Sequence, residues 1–415
     1  MTQVKLPRIV GVNQLADETA LAVEDNMFVR KAVNVDIDSR NNVSRRKGAT
    51  LQLAGTGYHS MYETSRGWTM LCRKNELGRY DTATATFLPM TSMTDAYTTS
   101  FTEVNRVLYA MNPSFSCMFL PTSGTPKPIG VPLPSIEVEF RVIASGDMEE
   151  GTYGVAYTLV DPDGEESGLS KLVTLDLEAG QGIGCTMLMV LSGYRYRFYM
   201  TTANGSELRQ AAEIDADTTS LQILAPEEGR QAETQGLEPP PFGNVIRGFN
   251  ARLLIGTLDG YVYYTEAFRP HLYHPDNFVS MQGYVTLLEP VGNGVFIGDR
   301  TGVYFYKGQD PTEWSVELVS PERAIFNTGQ TISGAYFGGE LANYDTVAIW
   351  LTESGYLIGL PSGEILRPNA GQVKLPAYTQ GCSTVLIRDG RKQVLTAVNS
   401  NKLVQTGAAL DSTTI

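Results

Sequence analysis

The chain has 415 residues, including 41 Gly, 21 Pro, 21 Tyr, 4 Cys and 3 His, and 45 acidic against 32 basic side chains give a formal net charge of −13. That length predicts two or three domains, and 42% hydrophobic with 19% charged residues excludes disorder. Cys72, Cys117, Cys185 and Cys382 lie far apart with no CxxC, which excludes a disulfide scaffold and a structural zinc site, and the acidic balance argues against a protein that grips DNA phosphates.

Residues 1–25 contain no basic stretch followed by an apolar one, so no signal peptide is expected; they read as an arm over a neighbouring subunit. No apolar run reaches the roughly 18 residues of a membrane span. Assembly in a cytosol, with buried and reduced cysteines, is the expectation. Asp36-Ile-Asp38 opens like a calcium loop, but Asn41 and Lys47 stand where Gly and Glu are needed. Arg45, Arg46 and Lys47 are three consecutive cations in an acidic chain. They read either as a solvated turn or as a subunit interface with an acidic neighbour or nucleic acid.

From residue 26 onward, short apolar runs ended by turn residues dominate, and helical periodicity is nearly absent. Six hairpins share one form, turning near residue 76, Asn112-Pro113, Asp259-Gly260, Thr301-Gly302, Ser354-Gly355 and Asp389-Gly390. Asp-Gly between strands predicts a type I′ turn, which needs positive φ. Apart from one long gap, the turns recur every ~35–53 residues, close to the pitch of a four-stranded propeller blade. A sandwich or a series of small β domains would also contain hairpins; count and spacing favour a β-propeller of about six blades.

The long gap holds a separate unit over 135–240, bracketed by Pro132-Leu-Pro134 and Glu238-Pro-Pro-Pro241. Its alternating strands, such as Gly151–Val160 and Tyr194–Tyr199, predict an inserted immunoglobulin- or fibronectin III-like sandwich. The predicted fold class is therefore all-β, with 26–134 and 241–415 as the two parts of the propeller.

No site of chemistry emerges. Asp161-Pro-Asp163-Gly164-Glu165-Glu166 reads as a hairpin turn before it reads as a calcium site. Gly180-Gln-Gly182-Ile-Gly184 lacks the strand-to-helix context of a nucleotide loop. His271 and His274 have no assignable third metal ligand and read as a loop packed against aromatic residues. A glycosidase pair could be assembled from carboxylates of separate blades, though nothing points to one. The expectation is a protein with no catalytic residues, cofactor or metal. Tyr264, His271, Tyr273 and His274 are the candidates for surface recognition.

Several segments are similar to phage virion proteins of the tail-nozzle and packaged-DNA-stabilisation type. They are Gly11-Val-Asn13, then Ala32–Asp38 running into Ser39–Gly48, and Phe249-Asn-Ala-Arg-Leu-Leu-Ile-Gly256. Tyr263-Tyr-Thr-Glu266, the Pro270–Asn277 loop, Val295–Gly298, Val303–Gly308 and Asp310-Pro311 continue the likeness. The chain departs from the pattern at Asn41 and Ala251, where Gly is usual. The resemblance implies a non-enzymatic phage tail component (nozzle, tail tip or baseplate ring) acting in virion assembly and DNA delivery. Implied partners are other tail or neck proteins and further copies in a homo-oligomeric ring or trimer. DNA would pass acidic walls with at most transient contact. The implied location is the virion tail, after assembly in the bacterial cytoplasm. The alternatives are an adhesin binding a host receptor at the tail tip and a glycan-processing enzyme on a propeller scaffold.

Overall fold

The computed structural model describes the chain apart from residues 1–7, 24–25, 38–42, 47, 49, 122, 136–137, 189–190, 226–228, 338, 389–390 and 400–415. Among the described residues the protein is all β; its helical turns are short 3-10 segments such as Glu18–Ala20 and Gly339–Asn343.

Six antiparallel sheets follow one another, each with its strands in chain order. Sheet 1 is Tyr58–Glu63, Thr69–Arg73, Glu76–Asp81 and Thr86–Ser92; sheet 2 is Ser100–Val104, Val107–Asn112 and Phe115–Phe119. Sheet 3 is Val245–Phe249, Arg252–Gly256, Tyr261–Tyr264 and Phe278–Ser280; sheet 4 is Leu287–Val291, Gly294–Gly298, Val303–Lys307 and Ser315–Ser320. Sheet 5 is Gln330–Ile332, Val347–Thr352, Gly355–Gly359 and Ile365–Leu366; sheet 6 is Gly381–Arg388 with Arg391–Val398. The sheets are separate, and among the described residues no strand pairing joins sheet 6 to sheet 1.

Turn chemistry sets these hairpins. Asn105-Arg106 and Asn250-Ala251 each take two positive φ values in succession (51° and 66°, 46° and 60°), the type I′ geometry whose twist suits a two-residue hairpin. The Asp259-Gly260 turn corrects the sequence expectation: Gly260 has φ 90° and Asp259 is not in the positive region. There the loop is longer, closed by Thr257 N donating to Tyr261 O and Tyr261 N donating to Thr257 Oγ1. The sixth predicted turn, Asp389-Gly390, lies outside the described residues.

Neighbouring sheets pack face to face in chain order. Met70 and Leu77 of sheet 1 meet Leu108 and Phe119 of sheet 2. Tyr109 and Met111 meet Leu253 and Ile255 of sheet 3, and Leu254 meets Val295 and Ile297 of sheet 4. Phe296 of sheet 4 lies against Trp350 of sheet 5 with ring centroids 5.3 Å apart, and Leu351 of sheet 5 packs with Val398 of sheet 6. Central strands are thus covered on both faces. Every residue of Gly294–Gly298 and Val347–Thr352 is buried, so these strands read as continuous apolar runs.

Between sheets 2 and 3, two further sheets share one core. A three-stranded sheet runs Val138–Ile143, Gly182–Met187, Ser220–Ile223; a four-stranded sheet runs Val173–Leu177, Gly151–Val160, Arg195–Met200, Arg209–Asp215. Tyr153, Tyr196 and Phe198 of the second meet Val138, Ile183 and Cys185 of the first.

At the N-terminus, Arg8–Val12 pairs in parallel with Asn26–Val29, and Val35–Ile37 pairs with Val43–Arg45. The expected boundary after residue 25 therefore cuts through a sheet, because the strand before it bonds to the strand after it. Cys72, Cys117 and Cys185 are buried, whereas Cys382 is exposed, which corrects the expectation of four buried thiols.

Candidate functional site

Three constellations combine side chains from separate sheets. The first joins the sequence segments 249–256, 263–266, 270–277 and 310–311. Arg252 donates to the Thr265 carbonyl (2.9 Å) and to Asp310 (3.3 Å), and lies 3.9 Å from Glu266. Asn277 donates to Glu266 at 2.9 Å, and Asn250 donates to the Gln309 carbonyl at 2.7 Å. Asp310 also caps the 3-10 turn Pro311–Glu313 through Thr312 N, and that backbone hydrogen bond holds its carboxyl below the usual range. The Arg and the two carboxylates hold a loop: Arg252 is shared between Asp310 and Glu266, and Asn277 and Thr312 supply their remaining hydrogen bonds.

The second is a polar line across the first strands of sheets 2 to 5. Arg247 donates to Ser100 Oγ (3.1 Å) and to Glu289 (2.6 Å), and Thr331 Oγ1 donates to Glu289 at 3.0 Å. Gly248 N donates to Thr102 Oγ1, and Gln330 Nε2 donates to the Ser383 carbonyl of sheet 6. Glu289 is 1% exposed, and Arg247 is the cation paired with it. A cavity of about 370 Å³ opens beside this line, lined by Thr102, Arg247, Phe249, Pro290, Thr331 and Thr346 among others. Arg247 is already neutralised, so the cavity presents hydroxyls and apolar walls.

The third fixes the insert to the sheets. Lys127 follows sheet 2 and bridges back to Met118 on its last strand. Its Nζ lies 2.8 Å from Asp161, 2.8 Å from Asp163 and 2.9 Å from Glu165. The carboxylate-rich turn therefore holds an internal ammonium where a cation site would hold a metal. Burial lowers the Lys127 pKa, but hydrogen bonds to the three carboxylates outweigh it and raise the value overall. Burial raises the Glu165 pKa, and Lys127 opposes this. His271 of sheet 3 lies 3.8 Å from Glu165, and burial with the nearby Lys127 lowers its pKa to about 4. Arg269 pairs with Glu233, and Glu238 bridges to Tyr273, so the C-terminal flank of the insert is tied to the same loop of sheet 3 that carries His271.

The sequence candidates divide. Tyr264 is 6% and Tyr273 9% exposed; Tyr264 packs against Trp314 and Tyr273 edge-on to Tyr263, so both are packing residues and the expected recognition surface is corrected there. His271 belongs to the Lys127 junction. His274 is the more open of the two histidines, 3.7 Å from Asp276. Arg45 is exposed, while Arg46 pairs with Asp36 on the facing strand at 3.1 Å. Lys47 lies outside the described residues. Sequence reasoning missed Lys127, Arg247 and Glu289. The available signals were a carboxylate-dense turn with no metal set, and single charges inside otherwise apolar strands.

No family model matches the chain, and no curated protein matches it. Among solved structures, it is similar to the β-propeller domain of Myceliophteria thermophila Cps50 (Swd1), at 10% identity over 84% of this chain and 96% of that one, with a TM-score of 0.35. It is also similar to a chain of a BBS1N–ARL6DN complex (11%, 84% and 91%, 0.28) and to one of a mitotic checkpoint complex (7%, 82% and 87%, 0.32). These likenesses set neither fold nor function for this chain.

Proposed function

We propose that the protein is a non-enzymatic structural component of a phage tail, a nozzle, tail-tip or baseplate ring, acting in virion assembly and DNA delivery. In this reading the six sheets are blades of a β-propeller, with their first strands innermost. The polar line through Ser100, Arg247, Glu289 and Thr331 stitches those strands together.

The inserted unit is read as a variant fibronectin III-like sandwich. Its strands in chain order correspond to B, C, C′, E, F and G, with B beside E and the order C′-C-F-G opposite. The variation is that among the described residues the first strand of such a domain has no counterpart, and Ser220–Ile223 instead pairs with the free edge of E.

The observation that carries the phage reading is the Arg252 constellation. Segments that resemble tail-nozzle proteins are separated by up to about 60 residues, yet Asn250, Arg252, Glu266, Asn277 and Asp310 converge on one loop cluster. Such convergence gives a physical reason for those residues to occur together.

Mass spectrometry of purified virions, followed by a map of the tail, tests this. A ring of copies on the tail axis is the expected result. Absence of the protein from virions refutes it. Binding to host cells with block of infection would favour the receptor reading, and polysaccharide turnover lost on one Asp or Glu substitution would favour the enzyme.

A further inference from the structure

The N-terminal segment has strands but no interior. None of the described residues from 8 to 57 is buried, although this stretch forms two small sheets. Val10, Leu15, Val33, Val43 and Leu51 are exposed, Leu51 at 81%. Small isolated sheets of this kind are marginal in water, and clustered exposed apolar side chains mark interaction surfaces. One tie to the rest of the chain is Gln14, whose N donates to the Gln372 carbonyl.

Charge identifies what would cover it. Residues 1–57 carry 8 basic and 6 acidic side chains; among the described ones Arg8, Arg30, Lys31 and Arg45 are exposed against Asp17 and Glu18. Residues 135–240 carry 19 acidic and 6 basic, a net −13, and the rest of the chain is balanced at 26 of each. The whole net charge of the protein therefore resides in the insert.

Within the insert the acidic groups reach the end remote from Lys127. Asp147, Glu149, Glu150 and Glu178 are exposed there. They are gathered by Asp147 N donating to the Leu224 carbonyl and Gly180 N donating to the Met148 carbonyl. Val142 and Leu224 are exposed at the same end, so the tip offers an apolar patch with an acidic rim. The ten-residue strand Gly151–Val160 separates this tip from the anchored turn at Asp161, roughly 30 Å away. With its near end clamped to sheets 2 and 3, the insert projects its acidic tip outward.

We propose that the N-terminal segment of one copy is covered by the acidic tip of the insert on the next copy. Arg45 and the exposed Arg8 and Lys31 face the acidic rim, and the exposed valines of the segment meet Val142 and Leu224. The contact is head-to-tail, so it can propagate around a ring. The inference rests on the homo-oligomeric reading above and names the surfaces that form the contact.

Sedimentation velocity of the full chain tests it, at low and high salt. The wild type should self-associate, and less so in high salt, because the contact is charged. Arg45→Glu, and separately Glu149→Lys with Glu150→Lys, should each weaken association by about tenfold or more at low salt, and the three changes combined in one chain should recover much of the loss. Hydrogen exchange at the amides of Val10, Phe28 and Val35 should slow on assembly. Rings that persist unchanged in both reversal variants would overturn this contact while leaving the ring reading standing. A wild-type chain that stays monomeric at every salt concentration would overturn the contact too, and its presence or absence in virions would then decide the functional reading separately.

Discussion

Replacing Lys127 by Met removes the ammonium and keeps most of the side-chain length. Lys127 is 20% exposed and meets three carboxylates at 2.8, 2.8 and 2.9 Å. Breaking a buried pair by removing one partner costs ~3–5 kcal/mol. Asp163, at 45% exposed, is partly screened, which brings the expected loss to about 2–4 kcal/mol. The assay is hydrogen exchange at Asp161, Gly164 and Ser167, whose amides bond to Glu165, Asp161 and Leu159 carbonyls. At 1.36 kcal/mol per tenfold, protection should fall by roughly thirty- to several hundred-fold. The sign with pH is definite. Lys127 has a raised pKa in the fold, so its contribution is full below the unfolded value near ~10.4 and is lost as pH rises through the folded value. Glu165, also raised, contributes most below its unfolded value and opposes folding as pH climbs past its folded one. Lys127→Met should therefore regain stability on mild acidification, as the exposed repulsion is titrated away. Unchanged protection in Lys127→Met would refute the clamp.

Other outcomes follow from single sites. Ala251 has φ 60°, where a Cβ costs about 1–2 kcal/mol, so Ala251→Gly should stabilise by roughly 0.5–1 kcal/mol after the added unfolded-state entropy, read as a higher urea midpoint. Glu289→Gln leaves Arg247 without its charge partner and should destabilise by ~2–4 kcal/mol in thermal unfolding; pairing Arg247→Met with Glu289→Leu should be less harmful than the worse single change. His271 has a folded pKa of about 4, so its contribution to stability is full above ~6.5 and lost as pH falls through 4; His271→Asn should flatten the stability profile across that window.

The hairpins were legible because turn residues punctuate them and because their apolar runs are short. The errors have physical causes. Residue type alone places Tyr264 on a surface, yet it shares strand parity with Val262, and both are buried. That period-two relation was available in the sequence. Asn250-Ala251 carries a type I′ turn that Ala disguises, since Gly is the usual residue at such φ. The Lys127 clamp was not legible: its partners lie 34 to 38 residues away, across a unit boundary, and only packing brings them together. What the turn at Asp161 did reveal was an excess of carboxylate with no metal pattern to use it.

The location of charge changes the argument about DNA. A net charge of −13 spread over the chain would make any channel through the sheets acidic. Outside residues 135–240, however, acidic and basic side chains are equal in number. On the first strands Arg247 and Glu289 neutralise each other, and Glu63, Glu103 and Arg388 leave an excess of a single carboxylate. A channel bounded by those strands would attract DNA weakly because it offers few free cations for counterion release, and repulsion would contribute little. The acidic field belongs to the insert. In the proposed ring its targets would be the basic surfaces of neighbouring copies, and shortening the insert should then alter assembly before it alters the passage of DNA.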